Sequence, residues 1–327
     1  METELLLGVD GGGTRCRARL SDPSGLIHGE GSAGPANIRF GLEASFAAVL
    51  EATMQCLCQA GLTYADLERT VACLALAGAT EPTELAKARA HMLPFRDTLI
   101  TTDAHAACVG AHGGRDGGIV IIGTGTVGWA MVRGRHHRVG GWGFPISDEG
   151  SGAWLGCEAV RRVLWAQDGR TGWTGLLTAL FAEFQSDPHA IVRWMTRARP
   201  ADFGQFAPLI IEHASQGDPV GRELVSLAAD HIDVLAARLV ASGADRLSIV
   251  GGLSPHIEPW LARETRHHLV APKGDALGGA LQLAQAEAAS ILEVLGAGAL
   301  SPGSPQPVSY EETEPAFSPA HGSDEGP

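Results

Sequence analysis

The sequence predicts a duplicated α/β fold in which two halves face each other across a central cleft. Residues 5–31 follow a plan of strand, glycine–threonine hairpin, strand, turn and strand, and residues 117–141 repeat that plan. Helical segments and a further apolar strand follow each copy. A chain of 327 residues is long enough for two such units, each with its own core.

The first half opens on a buried strand and a half-buried strand. Residues 5–10 form an apolar run, whereas residues 15–20 alternate arginines with small or apolar side chains, the period of two expected of a strand with one exposed face. Residues 41–60 place apolar side chains at helical spacing. The other expected elements are a weaker strand at 26–34, strands at 70–78 and 97–103, and helices at 82–92 and 104–112.

The second half is richer in helices than the first. After its three strands we expect helices at 151–167, 173–185, 187–197 and 219–242, a strand at 246–252 and a final helix at about 275–292.

The domain boundary is expected near residue 112. This gives an N-terminal domain over 1–112 and a C-terminal domain over 113–297, with the final helix able to pack back on the N-terminal domain. Residues 298–327 are acidic, hold six of the eighteen prolines and lack apolar periodicity. That composition predicts a disordered tail.

Composition restricts the class of protein and its partners. The formal net charge of −13 argues against nucleic acid as the main partner. No apolar run approaches the ~20 residues of a membrane span, and the chain enters a strand pattern at once rather than a signal peptide. None of the six cysteines forms a C-x-x-C pair, which favours free thiols. We therefore expect a cytoplasmic protein.

The stretch LLLGVDGGGTRCRARL, residues 5–20, is a candidate phosphate site. It lacks the lysine and spacing of a P-loop, and a strand rather than a helix follows its glycines, which excludes the dinucleotide-binding fingerprint. Backbone N–H groups of a glycine-tipped hairpin could bind phosphate instead, and a plain structural hairpin is the alternative.

Two further observations favour the phosphate interpretation. Asp10 precedes the glycines, where a carboxylate can hold hydrated Mg²⁺. The turn GTGT at 123–126 occupies the equivalent place in the second half. Paired hairpins across a cleft could hold the two ends of a triphosphate.

Four segments carry a resemblance to a known family. These are GVDGGGTRC, ITTDAHAACVGA, IVIIGTGTVGW with VGGWGFPISDEGSGAWLG, and VGGLSP. Together they resemble the N-acetylglucosamine kinase and BadF/BcrA-type ATPase family, within the superfamily of sugar kinases, heat-shock chaperones and actin. The resemblance covers residues 5 to about 290 and implies an actin-like (ribonuclease H-like) fold that uses ATP and Mg²⁺.

The resemblance also implies a role for individual residues. Asp10 is expected near the metal, through water, and Asp103 matches the catalytic aspartate of the family. The positions that match nucleotide contacts are Gly11, Gly12, Gly13, Thr14, Arg15, Gly123, Thr124, Gly125, Gly251 and Gly252. The positions that match sugar contacts are Asn37, Gly78, Asp103, Thr124, Trp142, Gly143, Asp148 and Glu149.

Each of these candidates also has a structural interpretation. Asp103 starts a helix, so it is either the N-cap or the base that takes a proton from a sugar hydroxyl. Ser147 or Asp148 could cap the helix that begins near 151, whereas Asp148 could bind sugar hydroxyls. Asn37 is a turn former or a sugar ligand.

An arginine and a tryptophan are further candidates for ligand contact, whereas two histidine pairs are not. Arg15 is a solvated edge charge or a phosphate ligand. Trp142 lies between glycines, and an indole offers a flat apolar wall to a pyranose ring. The histidine pairs 136–137 and 267–268 are expected on the surface rather than in a metal site.

The predicted function is an ATP-dependent kinase for the 6-hydroxyl of N-acetylglucosamine or glucosamine, with Asp103 as the general base. Val127 follows GTGT where some relatives carry a polar residue, which leaves the amino sugar open. The alternatives are an ATPase activator of the BadF/BcrA type without a sugar substrate, and a kinase for another N-acetylated sugar such as N-acetylmuramic acid. The resemblance also implies a homodimer.

Overall fold

The computed structural model describes residues 4–297, with side chains described up to residue 291 except that of Phe40. Its first sheet has the strand order β3-β2-β1-β4-β5, in which β1, β2 and β3 are antiparallel and β4 and β5 run parallel to β1. The strands are β1 Leu5–Gly11, β2 Cys16–Ser21, β3 Ile27–Ala33, β4 Thr70–Leu76 and β5 Asp97–Thr102.

Three α-helices and two 3₁₀ turns accompany this sheet. They are α1 Leu42–Ala60, α2 Pro82–Ala90, α3 Asp103–His112 and the 3₁₀ turns Ile38–Phe40 and Tyr64–Arg69. Helix α1 packs very closely on β3, because glycines face it: a Cβ on Gly31 would lie 1.9 Å from the carbonyl oxygen of Ala52. The helix ends at Gly61, whose φ of +68° is the left-handed conformation typical of a helix C-terminus.

The second sheet repeats the topology of the first, with one strand fewer. Its order is β8-β7-β6-β9, with β6, β7 and β8 antiparallel and β9 parallel to β6. An isolated bridge between Leu247 and Leu269 stands where the first sheet has β5. The strands are β6 Gly117–Ile122, β7 Thr126–Val132, β8 Arg135–Gly140 and β9 Leu247–Val250.

The described part of the second half also holds eight α-helices before the last one. They are α4 Gly152–Gln167, α5 Gly175–Ala182, α6 Pro188–Met195, α7 Pro200–Gly204, α8 Ala207–Ser215, α9 Pro219–Ala241, α10 Ser254–Ile257 and α11 Arg263–His268, with a 3₁₀ turn at Glu258–Trp260. The sequence did not predict α7, α8, α10 and α11. The apolar faces of α4, α5, α8 and α9 form the largest core of the protein with β6 and β9.

Helices α3 and α12 (Ala276–Ala297) join the two sheets. Helix α12 packs on α3, β1 and β4, and α3 also contacts β6 and β7. The approach of α12 to α3 requires glycine, since a Cβ on Gly279 would lie 1.9 Å from the carbonyl oxygen of Ala106. The duplicated α/β fold is therefore confirmed, whereas the domain division at residue 112 stays a prediction.

The sequence-based expectations also include the C-terminal tail and the membrane-spanning potential of the helices. The predicted tail, 298–327, lies outside the described residues. Among the helices that the structure describes, none is long and apolar enough to cross a bilayer.

Candidate active site

The first glycine hairpin joins β1 to β2 and is held by backbone hydrogen bonds on its inner side. The N–H of Gly12 donates to the carbonyl oxygen of Arg15 at 2.9 Å, and the carbonyl oxygen of Gly12 accepts from the N–H of Ala36 at 3.0 Å. Gly13 and Thr14 at the tip are exposed, and so is the Arg15 side chain. The two tip residues carry no side chain larger than that of threonine, which leaves their backbone open to a phosphate group.

The second hairpin, between β6 and β7, rests on the N-terminus of α4. The N–H of Gly123 donates to the carbonyl oxygen of Gly125 at 2.9 Å, and the carbonyl oxygens of Gly123 and Thr124 accept from the N–H groups of Gly152 and Ala153. Thr124 is exposed. These hydrogen bonds join the backbone of the hairpin to the backbone of α4, so they fix the shape of the hairpin without the help of side chains.

The N-cap of α4 differs from both sequence-based alternatives. Ser151 is the cap, and its hydroxyl accepts from the N–H of Trp154 at 3.2 Å. The interpretation of Ser147 or Asp148 as the cap is therefore wrong. Both lie before the N-terminus of the helix, in the loop that follows β8.

The segment around Gly251 lies beside the second hairpin. A Cβ on Gly251 would be 2.4 Å from the carbonyl oxygen of Ile122, and its φ is +104°. Only glycine fits there, because both the space and the backbone angle exclude a side chain. Gly252 is exposed with open space around its Cα, which leaves room for a flat ligand against the backbone.

Asp10 is the carboxylate next to the first hairpin, near the end of β1. Its Oδ2 accepts from Nη2 of Arg17 at 2.6 Å, and Nη1 of Arg17 reaches Oδ2 of Asp275 at 3.0 Å. The hydrogen bonds of the described residues reach Asp10 only at Oδ2. Oδ1 therefore keeps its lone pairs for a hydrated cation, so the donor chemistry fits Mg²⁺.

Asp103 is the first residue of α3 and is not its N-cap. Thr102 is the cap, because its hydroxyl accepts from the N–H of His105 at 3.0 Å, so the N-cap interpretation of Asp103 is wrong. Oδ1 of Asp103 accepts from the N–H of Ala104 at 2.8 Å.

The surroundings of Asp103 make its carboxyl unusually basic. Burial raises the pKa of Asp103 and the negative charge of Asp10 raises it further, while the N–H of Ala104 and the charge of Arg138 oppose the shift. A partly desolvated carboxylate that is also influenced by a second carboxylate is an arrangement typical of functional sites. Asp10 and Asp103 are thus close enough to interact electrostatically.

Arg138, on β8, is a cleft residue that the sequence analysis missed. Its guanidinium lies 4.3 Å from the ring centroid of Trp142 and donates to the carbonyl oxygen of Gly141. Its charge also acts on Asp103. Arg138 therefore links the exposed indole of Trp142 to the candidate base.

Asn37 and Gly78 lie together on the first-half side of the cleft. Oδ1 of Asn37 accepts from the N–H of Arg39 at 3.1 Å, so Asn37 is indeed a turn former that caps the short 3₁₀ helix after it. A Cβ on Gly78 would lie 2.5 Å from that same Oδ1, and the φ of Gly78 is +83°. Nδ2 of Asn37 lies 3.9 Å from the Cβ position of Gly13, beside the first hairpin.

The loop 140–150 carries the remaining sugar candidates. Oδ2 of Asp148 accepts from the N–H of Phe144 at 3.1 Å and lies 2.8 Å from the Cβ position of Gly125. Burial raises the pKa of Asp148, against the backbone N–H groups of Phe144, Gly143 and Thr126. The carboxylate of Asp148 therefore already fixes the loop against the second hairpin.

Trp142, Glu149 and Val127 differ in their surroundings. Trp142 is 68% exposed. Glu149 lines a cavity of about 220 Å³ together with His231 of α9. Val127 packs under Gly141, 2.7 Å from the Cβ position of that glycine. Val127 thus packs against the loop 140–150 at Gly141.

One of the histidine expectations is wrong. His136 is half-buried, and its ring packs edge-on against His105, with 4.6 Å between the ring centroids. Burial and then the neighbouring His136 lower the pKa of His105 to about 4, so His105 is neutral at physiological pH. In the part of the chain that the structure describes, no three potential ligands among His, Cys, Asp and Glu converge as a metal site.

Two sheets of repeated topology, each with a glycine hairpin between its first two strands in the chain, form an actin-like fold. The model of the BadF/BadG/BcrA/BcrD ATPase family matches residues 7–266. The chain belongs to this family, which implies that it uses ATP.

Known relatives extend the comparison over most of the chain. A glucosamine kinase of Vibrio cholerae is 40% identical over 278 residues, which are 85% of this chain and 95% of that protein. An N-acetyl-D-glucosamine kinase of Dictyostelium discoideum is 26% identical over 263 residues, or 75% of this chain and 82% of that one. The crystal structure of a candidate N-acetylglucosamine kinase of Chromobacterium violaceum aligns with a TM-score of 0.82 at 35% identity, covering 86% of this chain and 99% of the other.

Proposed function

We propose that the protein is an ATP-dependent amino-sugar kinase that phosphorylates the 6-hydroxyl of glucosamine or N-acetylglucosamine. The observation that carries the proposal is the carboxylate of Asp103, which is half-buried, has a pKa raised by desolvation and by the charge of Asp10, and stands at the N-terminus of α3. Sequence similarity to the glucosamine kinase of Vibrio cholerae supports the substrate class.

In the proposed reaction Asp103 is the general base. Its carboxylate accepts the proton of the sugar 6-hydroxyl while that oxygen attacks the γ-phosphorus. The bond between the γ-phosphorus and its bridging oxygen to the β-phosphate breaks, and ADP leaves. Burial favours this role, because it raises the basicity of the carboxylate above that of an exposed aspartate.

The two hairpins would hold the phosphates through backbone N–H groups. On the first hairpin these are Gly11, Gly12, Gly13 and Thr14, with Arg15 at its edge, and on the second Gly123, Thr124 and Gly125. Gly251 and Gly252 would lie against the adenosine, where the open face of Gly252 leaves space.

Asp10 would hold Mg²⁺ through water. When bound, Mg²⁺ supplies positive charge that offsets the charge developing on the phosphates. Asp10 also brings a second carboxylate close to Asp103. The repulsion between these two carboxylates is an electrostatic reason to bind a cation there.

The sugar would lie between the two halves. Asn37 and Gly78 would contact it from the first half, and Gly143, Asp148, Glu149 and Thr124 from the second. The indole of Trp142 would cover one face of the sugar ring, since it is exposed and the guanidinium of Arg138 lies over one of its two faces. We also propose domains over 1–112 and 113–297, a homodimer and a cytoplasmic location.

An ADP-release assay tests the function directly. The panel is glucosamine, N-acetylglucosamine, N-acetylmannosamine, N-acetylmuramic acid, glucose and no sugar. We expect the largest sugar-dependent release with glucosamine or N-acetylglucosamine. Release that no sugar increases would reject the kinase and favour an ATPase without a sugar substrate.

A further inference from the structure

Arg39 lies at the line where the two halves meet. Its backbone N–H is held by Oδ1 of Asn37 at 3.1 Å. Its Cγ lies 2.7 Å from the Cβ position of Gly78, so the stem of the side chain rests on the bare backbone of that glycine. Asn37 and Gly78, both in the first half, thus position the backbone and the aliphatic part of Arg39.

The guanidinium of Arg39 crosses to the second half. Its Nη1 lies 3.4 Å from the Cβ position of Gly143, whose φ is +105°. Gly143 belongs to the same loop as Trp142 and Asp148. The side chain of Arg39 therefore lies in the space beside two glycines proposed for the sugar, one on each side of the cleft.

The guanidinium of Arg39 differs from those of Arg17 and Arg138 in its partners. Arg17 is bound to Asp10 and Asp275, and Arg138 is stacked on Trp142. Among the residues that the structure describes, by contrast, no carboxylate or carbonyl accepts a hydrogen bond from the guanidinium of Arg39. Arg39 is exposed, so its guanidinium can donate hydrogen bonds to a ligand in the cleft.

We propose that Arg39 is a sugar-positioning residue, which joins the two halves across the bound amino sugar. This inference rests on the kinase function proposed above. In the closed cleft its donors bind oxygen acceptors on the sugar, and its contact with Gly143 brings the loop 140–150 over the ring. The same closure excludes water from the γ-phosphate, so Arg39 favours transfer to sugar over hydrolysis.

The test compares Arg39→Met and Arg39→Lys with the wild type and with Arg193→Met. Arg193 is a matched control, because it is an exposed arginine on α6 that pairs with Asp187 rather than with cleft residues. For each protein we would measure kcat, the KM values for sugar and for ATP, and ADP release without sugar. Thermal unfolding would check that each variant is folded.

For Arg39→Met we expect the sugar KM to rise about tenfold to a hundredfold, the loss typical of a charge-assisted hydrogen bond. The KM for ATP should change less than about twofold, and hydrolysis without sugar should take a larger share of ADP release. Arg39→Lys should recover part of the sugar affinity, because it keeps the charge but not the planar donor group.

Three results would overturn the proposal in distinguishable ways. If Arg39→Met leaves both the KM for sugar and the fraction of ADP released by hydrolysis unchanged, the role of Arg39 is rejected and the kinase function is not affected. Equal losses for sugar and ATP indicate a general structural defect, and they also reject it. A wild type that phosphorylates no sugar rejects the kinase function itself, and the role of Arg39 with it.

Discussion

The two glycine hairpins share a topology but differ in the residue that precedes their glycines. In the first, β1 places Asp10 there, whereas in the second β6 places Ile122 at the corresponding position. Asp10 is ion-paired at the cleft, while Ile122 is buried in the core. The first hairpin thus has a carboxylate beside it that can hold a cation. The second hairpin has the same topology but offers a ligand only its backbone groups.

The strand next to each central strand extends the comparison. A glycine with a positive φ follows it in each sheet: Gly78 comes two residues after β4, and Gly251 comes directly after β9. The space beside Gly78 is taken by Asn37 and Arg39, whereas the space beside Gly251 is taken by the backbone of Ile122. The glycines that follow the two strands therefore serve a proposed sugar site in one half and a proposed nucleotide site in the other.

The largest expected effect comes from removing the base, which only the first half provides. Asp103→Asn should lower kcat by about 10²–10⁴-fold, because the carboxylate no longer accepts the proton. The kinetics would be measured by ADP release, and binding by the shift in melting temperature on adding ATP. Wild-type turnover in this variant would remove Asp103 from the mechanism.

The same substitution should raise the melting temperature at neutral pH. The pKa of Asp103 is raised in the folded protein, so ionisation costs stability above that pKa and costs nothing below the pKa of the unfolded chain. The difference in melting temperature between Asp103→Asn and wild type should therefore be greatest at neutral pH and disappear in acid. A difference independent of pH would contradict this assignment.

Because Asp10 has no carboxylate counterpart at Ile122, we expect only a substitution in the first hairpin to change the Mg²⁺ requirement. Asp10→Asn should raise the Mg²⁺ concentration needed for half-maximal activity by about 10–100-fold, since water-mediated ligands have effects of this size. A magnesium titration at saturating ATP would measure it. An unchanged requirement would mean that the cation is held elsewhere.

The paired glycines offer a matched comparison of the two sites. Gly78→Ala and Gly251→Ala each introduce strain of about 1–3 kcal/mol, because both positions have a positive φ. We expect Gly78→Ala to raise mainly the KM for sugar and Gly251→Ala mainly that for ATP. The opposite pattern in steady-state kinetics would reverse the assignment of the two sites.

The smallest effect is expected at Arg138, whose charge acts on Asp103 from the second half. Arg138→Met removes a charge that opposes the raised pKa of Asp103, so the acid limb of the pH profile of kcat/KM should move to higher pH. At high pH the activity should approach that of the wild type. A loss of equal size at every pH would indicate a structural role only.

The sequence predicted features that depend on local pattern. The alternation of Arg15, Arg17 and Arg19 identified β2, since the period of two is a property of one strand. Short helices such as α7 and α10 were missed, because four or five residues are too few to show a helical period.

The features that the sequence missed depend on long-range contacts. Arg39 and Arg138 look like ordinary solvated arginines, and they become cleft residues only when the fold brings Gly143 close to Arg39 and Asp103 close to Arg138. The caps at Thr102 and Ser151 depended on where the helices begin, and helix ends are the least certain part of a sequence-based assignment.

Phosphorylation of the 6-hydroxyl is the central claim, and the sugar that lacks this hydroxyl tests it most directly. ADP release would be compared between glucosamine and 6-deoxyglucosamine, and between N-acetylglucosamine and its 6-deoxy form, with the product mass determined. We expect a sugar monophosphate from at least one parent sugar and no release above the no-sugar background from either 6-deoxy form. A phosphorylated 6-deoxy sugar would contradict the account.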